Sequence, residues 1–341
     1  MDMNTEGRTL IKTMGRSIFL AALAVGMSSS LSLAADKMKF TFNWTADDGD
    51  LGFVLAKKLG FYEELGIDIE FEEGRGSSIT SQLVATGQTD VGYADAPAAM
   101  NVASKGANFK IIAPILEGNT SAAISLKESG IETIKDLKGK KVAVCAGCSQ
   151  TALLDPLLKA NGLEQSDMEI ISVDGAAFLG LLTEKKVDVV LSDPGSISAP
   201  LRDRGIETTA ILYRENGIPT VGLSLIARED KLAANPDLYK RFIEASLKGW
   251  DAARRDPDAA ADALLEMYPK ANSRDASIWT AQNLIIPALC VEGASTLGDV
   301  PDANWNITYE LLTTYLGLPN TKPITDYYTR DYLPENRPAC P

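Results

Sequence analysis

Carboxylates and an aromatic side chain stand where predicted strands end. Asp47 and Asp48 follow a short apolar run that stops at Asn43, and Asp95 ends a second run. Carboxylates accept hydrogen bonds from a ligand, and Trp44 offers a flat surface on which an aromatic ring can stack. These residue types predict capture of a small polar ligand.

The sequence contains no histidine. That absence excludes Ser-His-Asp and Cys-His catalysis, histidine-ligated zinc and haem, and the commonest general base at neutral pH. No motif in the chain predicts a metal site or a resident cofactor. The residues therefore favour binding without chemistry, and we expect a protein that is not an enzyme.

Four cysteines leave two interpretations open. Cys145 and Cys148 lie between a predicted strand and a predicted helix, which is how thioredoxin-like oxidoreductases present their thiols. A small structural disulfide and two free thiols are the alternatives to such an enzyme. Cys290 and Cys340 are candidates for a disulfide that holds the C-terminal tail.

The elements that position these residues alternate along the chain. Residues 40–95 are predicted to form three strands with two intervening helices, and a polar loop follows each strand. Asp188-Val189 and Asp193 repeat the spacing of Asp90-Val91 and Asp95. The repeat predicts two similar lobes, and ligands of such α/β sheets bind beyond the carboxyl ends of the strands.

The candidate ligand-contacting residues lie in these loops or on the elements beside them. They are Trp44, Asp47, Asp48, Ser77, Ser78, Tyr93, Asp95, Cys148, Ser149, Gln150, Phe178 and Asp193. Several have a structural alternative, because Ser149, Asp95 and Asp193 also stand where helices begin and Tyr93 and Phe178 also suit a core. Among these loops Arg75 is the expected positive charge. The excess of carboxylates favours a neutral or weakly basic nitrogenous heteroaromatic ligand over a strong anion.

Three motifs resemble one family in their order and spacing. Asn43-Trp44, Leu59-Gly60-Phe61-Tyr62 and Gly87-Gln88-Thr89-Asp90 are similar to the periplasmic substrate-binding proteins of ABC importers, in the branch that handles nitrate, sulfonates, taurine and thiamine-precursor pyrimidines. The resemblance covers about residues 39–268. It implies an α/β fold of the type II binding-protein kind, with a mixed sheet flanked by helices in each lobe and two crossover strands as a hinge.

The resemblance also implies partners. A protein of this kind is a monomer that delivers its small-molecule ligand to an ABC permease driven by an ATPase. A pyrimidine of the thiamine-precursor type is the expected ligand, with sulfonates, taurine and nitrate as alternatives. The related eukaryotic thiamine-pyrimidine synthases depend on a histidine, which this chain lacks. An exported CxxC oxidoreductase and a partner-binding module without a ligand are the other classes.

The N-terminal residues resemble an export signal. Basic residues precede a short apolar segment, which predicts a signal peptide over residues 1–34, cleaved near Ala34 or Ala35, and a periplasmic location. We expect residues 36–118 with 221–341 to form lobe 1, including a C-terminal helical cover, and residues 119–220 to form lobe 2. The formal charge of −13 argues against nucleic acid as a partner.

Overall fold

The computed structural model describes residues 35–319 and 322–340. The predicted signal peptide, residues 1–34, lies outside these described residues. Within the described residues no helix is both long enough and apolar enough to cross a membrane.

The strands of the described chain form two five-stranded sheets. The first sheet contains β1 (Asp36–Thr41), β2 (Ile67–Glu72), β3 (Val91–Asp95), β4 (Phe109–Pro114) and β10 (Leu223–Arg228). The second sheet contains β5 (Ala122–Leu126), β6 (Lys141–Cys145), β7 (Glu169–Val173), β8 (Val189–Ser192) and β9 (Thr208–Leu212).

The two sheets have the same topology. Their strand orders are β2-β1-β3-β10-β4 and β7-β6-β8-β5-β9. The first three strands of each order are parallel, and the fourth, β10 or β5, is antiparallel to both of its neighbours. The predicted α/β fold with a mixed sheet in each lobe is confirmed.

Helices of the described chain flank the two sheets. They are α1 (Leu51–Lys58), α2 (Phe61–Glu64), α3 (Ser77–Ala85), α4 (Ala96–Ser104), α5 (Ser149–Ala152), α6 (Leu154–Ala160), α7 (Phe178–Thr183), α8 (Pro194–Arg202), α9 (Glu229–Ala234), α10 (Pro236–Arg255), α11 (Pro257–Met267), α12 (Arg274–Thr280), α13 (Ile286–Ala288) and α14 (Asp302–Tyr315). Short 3-10 turns lie between some of them, and a π-helical turn, Ala281–Ile285, joins α12 to α13.

Aromatic side chains fill the core beneath the first sheet. Phe40 of β1 contacts Phe53 of α1 edge to face at a ring distance of 4.9 Å, and Phe242 of α10 at 5.5 Å. All five residues of β3 are buried, Asp95 included, so both faces of this strand are covered. This rigid core fixes the positions of the loops that follow β1 and β3.

Two segments connect the sheets, residues 115–121 and residues 213–222. They lie side by side, because the backbone N–H of Asn119 donates to the carbonyl of Thr220 at 3.2 Å and the Asn119 amide donates to the Thr220 hydroxyl at 3.0 Å. A Cβ on Gly222 would lie 2.6 Å from the Leu116 carbonyl oxygen, so the two backbones are in direct contact. They are the two crossings of the chain between the sheets.

The C-terminal helices pack on helices that flank each of the two sheets. Helices α10 and α11 pack on α1, which follows the first strand of the first sheet. Helix α12 packs instead on α8, which follows a strand of the second sheet. Arg202 of α8 stacks over the ring of Trp279 at 5.1 Å and donates to the carbonyl of Asp275 at 3.4 Å. The helical cover therefore extends beyond the first lobe.

Close packing of α1 on α10 depends on Gly249. A Cβ at this position would lie 2.2 Å from the Gly52 carbonyl oxygen and 2.4 Å from the Ala56 Cβ. We expect Gly249→Ala to force the helices apart and to lower the free energy of unfolding by about 1–3 kcal/mol, measured by urea denaturation.

Gly180→Ala is the matched control for this substitution. Gly180 lies in α7, and a Cβ added there would enter open space. The control should stabilise the protein by roughly 0.5–1 kcal/mol. Equal effects of the two substitutions would contradict this account of the packing.

Candidate functional site

A cavity of about 240 Å³ lies where the loops after the strands of both sheets meet. Loops after β1 and before α3 line one side, and loops after β6, β7 and β8 line the other. The predicted residues that line it are Trp44, Asp47, Ser77, Cys148, Ser149, Gln150, Phe178 and Asp193. The structure thus brings together residues from distant parts of the chain.

A smaller recess of about 40 Å³ continues from this cavity. The two share Asn43, Asp47, Gln150, Asp193 and Ser196 as lining residues. The recess adds Asp48 and Asp95 to the predicted residues in the site. Carboxylates from both halves of the chain therefore meet at its walls.

Trp44 reaches from the first lobe onto the second. A Cβ on Gly175, in the loop after β7, would lie 3.1 Å from Cη2 of Trp44 and 3.6 Å from the Cys145 sulfur. The indole packs with the apolar cluster of the second lobe that contains Phe178 and Leu182. The two sides of the cleft are therefore in contact at this ring, and any side chain larger than glycine at position 175 would push it away.

Asp47 anchors the loop after β1. Its Oδ1 accepts the backbone N–H of Gly49 at 2.8 Å, which caps the turn Asp48–Asp50. Its Oδ2 accepts the hydroxyl of Ser196 at 3.2 Å, from the first turn of α8. The Asp50 side chain in turn accepts the Asp47 backbone N–H at 3.2 Å. The same short turn therefore fixes three carboxylates and links the two lobes.

Asp95 and Asp193 occupy matching places but have different partners. Both directly precede a helix, α4 or α8. The Asp193 carboxylate caps α8 by accepting the Gly195 N–H at 2.9 Å. The Asp95 side chain makes no such capping bond. Hydrogen bonds from Ser149 and Ser77 instead stabilise its ionised form, and Ser77 accepts the Asp95 N–H at 3.1 Å.

A disulfide joins Cys145 to Cys148 at the rim of the cavity, and another joins Cys290 to Cys340. The first disulfide shapes a tight loop in which Gly147 has a φ of +85°. The Gly147 carbonyl accepts the backbone N–H of Ser78 at 3.3 Å. The loop therefore contacts the start of α3, and Ser78 takes part through its backbone.

Two predicted residues lie away from the cavity walls. Tyr93 is fully buried in the core, where its ring contacts Phe53 edge to face at 5.0 Å. The alternation of side chains along β3 could not exclude this position, because both faces of the strand are covered. Ser78 also lies outside both sets of lining residues. Phe178 does line the cavity, although only 2% of its surface is exposed.

The sequence profile of the proteins described as NMT1/THI5 like matches residues 50–260. The chain belongs to this family. Its matched segment runs from the turn that carries Asp50, through the whole second sheet, to α11. Most of the cavity's lining residues therefore lie within the part of the chain that defines the NMT1/THI5-like family.

Relatives in the family have been named for different activities. The 4-amino-5-hydroxymethyl-2-methylpyrimidine phosphate synthase of Aspergillus parasiticus is 26% identical over 253 residues, covering 70% of this chain and 72% of that protein. A Haemophilus influenzae protein named for thiamine biosynthesis is 25% identical over 160 residues. That second match spans 47% of this chain and 51% of the relative, about half of its length.

The fold is that of a known group of binding proteins. The alkanesulfonate-binding protein SsuA from Xanthomonas axonopodis pv. citri, solved with bound MOPS, superposes with a TM-score of 0.65 at 17% identity. The match covers 84% of this chain and 96% of that one. The NMT1/THI5-like chain therefore has the periplasmic-binding-protein fold.

The cleft of this NMT1/THI5-like protein is acidic and partly desolvated. Burial, together with the charge of Asp48, raises the pKa of Asp47 to about 7. Burial also raises the pKa of Asp95 to about 6 and shifts the pKa of Asp193 in the same direction. Burial, followed by the charge of Asp47, raises the pKa of Asp50 well above its usual range. Protonation, or a positively charged group nearby, would therefore offset the cost of burying these carboxylates.

Several lining residues were missed in the sequence, among them Lys270, Asn272 and Ser196. Lys270 and Asn272 come from the loop after α11, which no strand-end pattern marks, and only the packing of α12 on α8 brings them to the cleft. Ser196 follows β8 by a few residues, so the strand-end rule could have found it. Lys270, not Arg75, is the cationic side chain among the described residues that line the larger cavity.

Proposed function

We propose that the protein is an extracytoplasmic solute-binding protein. It captures a small nitrogenous heteroaromatic ligand, of the pyrimidine type, between two lobes and delivers it to an ABC permease driven by an ATPase. The observation that carries this proposal is the cavity between the two sheets, lined from one side by Trp44 and Asp47 and from the other by Gln150 and Asp193. The proposal includes a mature, monomeric protein in the periplasm.

The proposed lobes are residues 36–118 with 221–341, and residues 119–220. The paired connecting segments, residues 115–121 and 213–222, are the proposed hinge. Binding between lobes gives affinity because both lobes contact the ligand when the cleft is shut, which shifts the population towards the closed state. Trp44 is the proposed stacking platform, and the carboxylates with Gln150 are the proposed acceptors and donors for the ring's polar groups.

The residues that line the cavity favour a basic ring as ligand and disfavour an anion. A sulfonate or nitrate would lie beside Asp47, Asp95 and Asp193, with Lys270 as the cationic neighbour in the larger cavity. An anion held against buried carboxylates costs free energy unless positive groups compensate it. The similarity in fold to a sulfonate-binding protein supports the capture mechanism and leaves the ligand to be decided by the side chains.

Two enzyme classes receive less support. The pyrimidine phosphate synthase named among the relatives is an enzyme, but this chain has no histidine to act as a base near neutral pH. An oxidoreductase needs an accessible thiol pair, whereas Cys145 is buried and the loop between the two cysteines packs on Gly76 and Ser78. Capture without conversion fits these residues better.

The ligand can be identified directly. Mass spectrometry of the denatured, freshly purified protein should reveal a retained nitrogenous heteroaromatic compound, recovered unchanged. Calorimetric titration of the stripped protein should then detect 4-amino-5-hydroxymethyl-2-methylpyrimidine, with no binding of taurine, nitrate or an alkanesulfonate. Tight binding of a sulfonate with no response to pyrimidines would exclude the proposed ligand class, and conversion of the ligand to a product would exclude the carrier.

Trp44 offers a mutational test of the stacking role. Trp44→Ala should weaken binding of the titrated pyrimidine by roughly tenfold or more, because a stacked aromatic pair contributes about 0.5–1.5 kcal/mol beyond the area that it buries. Trp44→Phe keeps an aromatic face and should retain most of the affinity. Equal losses in the two variants would indicate that Trp44 acts by filling space between the lobes, since phenylalanine is also smaller than tryptophan.

A further inference from the structure

The recess beyond the main cavity has a distinctive set of walls. Asp47, Asp48, Asp95 and Asp193 line a volume of about 40 Å³. No lysine or arginine is among the described residues that line it. This volume holds a group of a few heavy atoms, such as an amino or amidine group. The recess therefore admits only a small group and surrounds that group with carboxylates.

Asp48 supplies an independent sign that a hydrogen-bond donor belongs there. It is 2% exposed, and its Oδ2 accepts the Asn272 amide at 2.7 Å. Its Oδ1 is buried without a partner in hydrogen-bond geometry among the described residues. The Ser277 and Thr280 hydroxyls lie close enough to Asp48 to stabilise its ionised form, but neither hydroxyl is in full hydrogen-bond geometry with a described residue. An unpaired buried carboxylate oxygen is costly, so a donor from a ligand would stabilise this wall of the recess.

The charges come from both lobes. Asp47 and Asp48 belong to the turn after β1, whereas Asp193 follows β8 of the second sheet. Asp47 and Ser196 are already joined across the cleft by a hydrogen bond of 3.2 Å. A positive group between Asp47 and Asp193 would attract both lobes at once and offset the repulsion that closure creates.

We propose that the recess is a subsite for a positively charged nitrogen of the ligand. An amidinium, a protonated amine or a protonated aminopyrimidine-type ring has the N–H donors to bridge Asp47 and Asp193. The positive charge is the feature that selects the ligand and closes the lobes. This inference rests on the proposed capture function and narrows it to cationic ligands.

The charged groups around the subsite set its pH dependence. Asp47 faces Asp48 and Asp50 on its own turn and Asp193 across the cleft, with Lys270 in the wider cavity. Asp193 also faces Arg214, which lowers its pKa against the effect of burial. Since the pKa of Asp47 is raised to about 7 and that of Asp95 to about 6, both carboxylates ionise as the pH rises from 5 to 8. A probe that stays cationic over this range should therefore bind more tightly at pH 8 than at pH 5.

Benzamidine and benzamide form a matched pair of probes, alike in shape but positively charged and neutral. We expect calorimetric titration to give roughly ten- to a hundredfold tighter binding of benzamidine, with affinity rising between pH 5 and pH 8. Asp193→Asn should remove most of this preference, because asparagine can still cap α8 but carries no charge. Asp188→Asn is the control: it removes the same charge at the opposite end of β8, where the exposed Asp188 accepts the Lys141 N–H. The control should leave the preference for benzamidine unchanged.

Several results would overturn the cationic subsite. These are equal binding of the two probes, no binding of either, a preference that survives Asp193→Asn, and a rise in melting temperature with Mg²⁺ or Ca²⁺ that benzamidine does not reproduce. A neutral pyrimidine retained through purification would remove the charge requirement while leaving the capture function standing. Circular dichroism of both variants would show whether a lost preference reflects the missing charge or a lost fold.

Discussion

Removal of the disulfide between Cys290 and Cys340 is expected to lower the free energy of unfolding by about 4 kcal/mol. The two cysteines are separated by 50 residues, and a cross-link over a loop of this length removes that much chain entropy from the unfolded state. The measurement is urea denaturation of the variant with both cysteines changed to serine, at pH 7 without reductant. The loss should appear as a lower midpoint, since the midpoint depends on stability at a given surface exposure.

The second disulfide provides a control of the same chemistry. Cys145 and Cys148 are separated by 3 residues, so changing both to serine should cost about 2 kcal/mol by the same loop-entropy relation. The tail near Cys340 has further anchors, including the Leu297 N–H to the Pro338 carbonyl at 2.9 Å. If those anchors alone held the tail, the long-range pair would be dispensable. A larger loss from the short-range pair than from the long-range pair would reverse the expected order.

Patterns along the sequence predicted the parts of the fold that are local. The strand-loop-helix alternation and the repeated Asp-Val spacing mark the ends of β3 and β8, because each strand is a short buried run followed by a polar loop. That is why Asp95 and Asp193 could be placed in the cleft. The mixed sheet in each lobe also follows from the family resemblance.

Other parts of the site depend on packing between distant segments. Asn272 reaches Asp48 because α12 packs on α8, and nothing near Asn272 in the sequence records that contact. Asp50 directly precedes α1, yet its side chain makes no capping bond to that helix and accepts the Asp47 N–H instead. A strand buried on both faces similarly hides which of its residues reach a cavity, as Tyr93 illustrates. These features need three-dimensional contacts that periodicity does not encode.

Glu117 is a buried carboxyl group outside the cleft, in the connecting segment of residues 115–121. Glu117 is 1% exposed, and its Oε2 accepts the Val291 N–H at 3.0 Å. Its Oε1 is buried without a partner in hydrogen-bond geometry among the described residues. One of its carboxylate oxygens and the sulfurs of Cys290 and Cys340 lie within 4.8 Å of one another. The carboxyl group is therefore enclosed by the same contacts that hold the tail.

Substitution of Glu117 by glutamine is expected to flatten the pH dependence of stability. Burial raises the pKa of Glu117 from 4.5 to about 8, with the charge of Asp299 contributing in the same direction. A carboxyl whose pKa is raised on folding stabilises the folded state fully below its unfolded pKa, and this contribution is lost as the pH rises through the folded value. The wild-type protein should therefore lose on the order of 4 kcal/mol between about pH 4.5 and pH 8 from this group. Urea denaturation of wild type and Glu117→Gln at several pH values from 5 to 9 measures the difference.

The sign of that difference separates this cause from others. Asp47 and Asp95 also have raised pKa values and lower the stability of the ligand-free protein as the pH rises, but they do so in both wild type and Glu117→Gln. The free energy of unfolding of Glu117→Gln should thus fall less with rising pH than that of wild type, and the variant should be the more stable of the two at pH 9.

Glu292→Gln is the control, because it changes an exposed glutamate in the adjacent loop. Its free energy of unfolding should depend on pH in the same way as that of wild type. Because Glu117 adjoins the Cys290–Cys340 disulfide, its effect should also differ in the cysteine variant, since residues in contact do not contribute additively. Parallel curves for wild type and Glu117→Gln would mean that this carboxyl is already ionised at pH 5, and that the segment joining the lobes tolerates a buried charge.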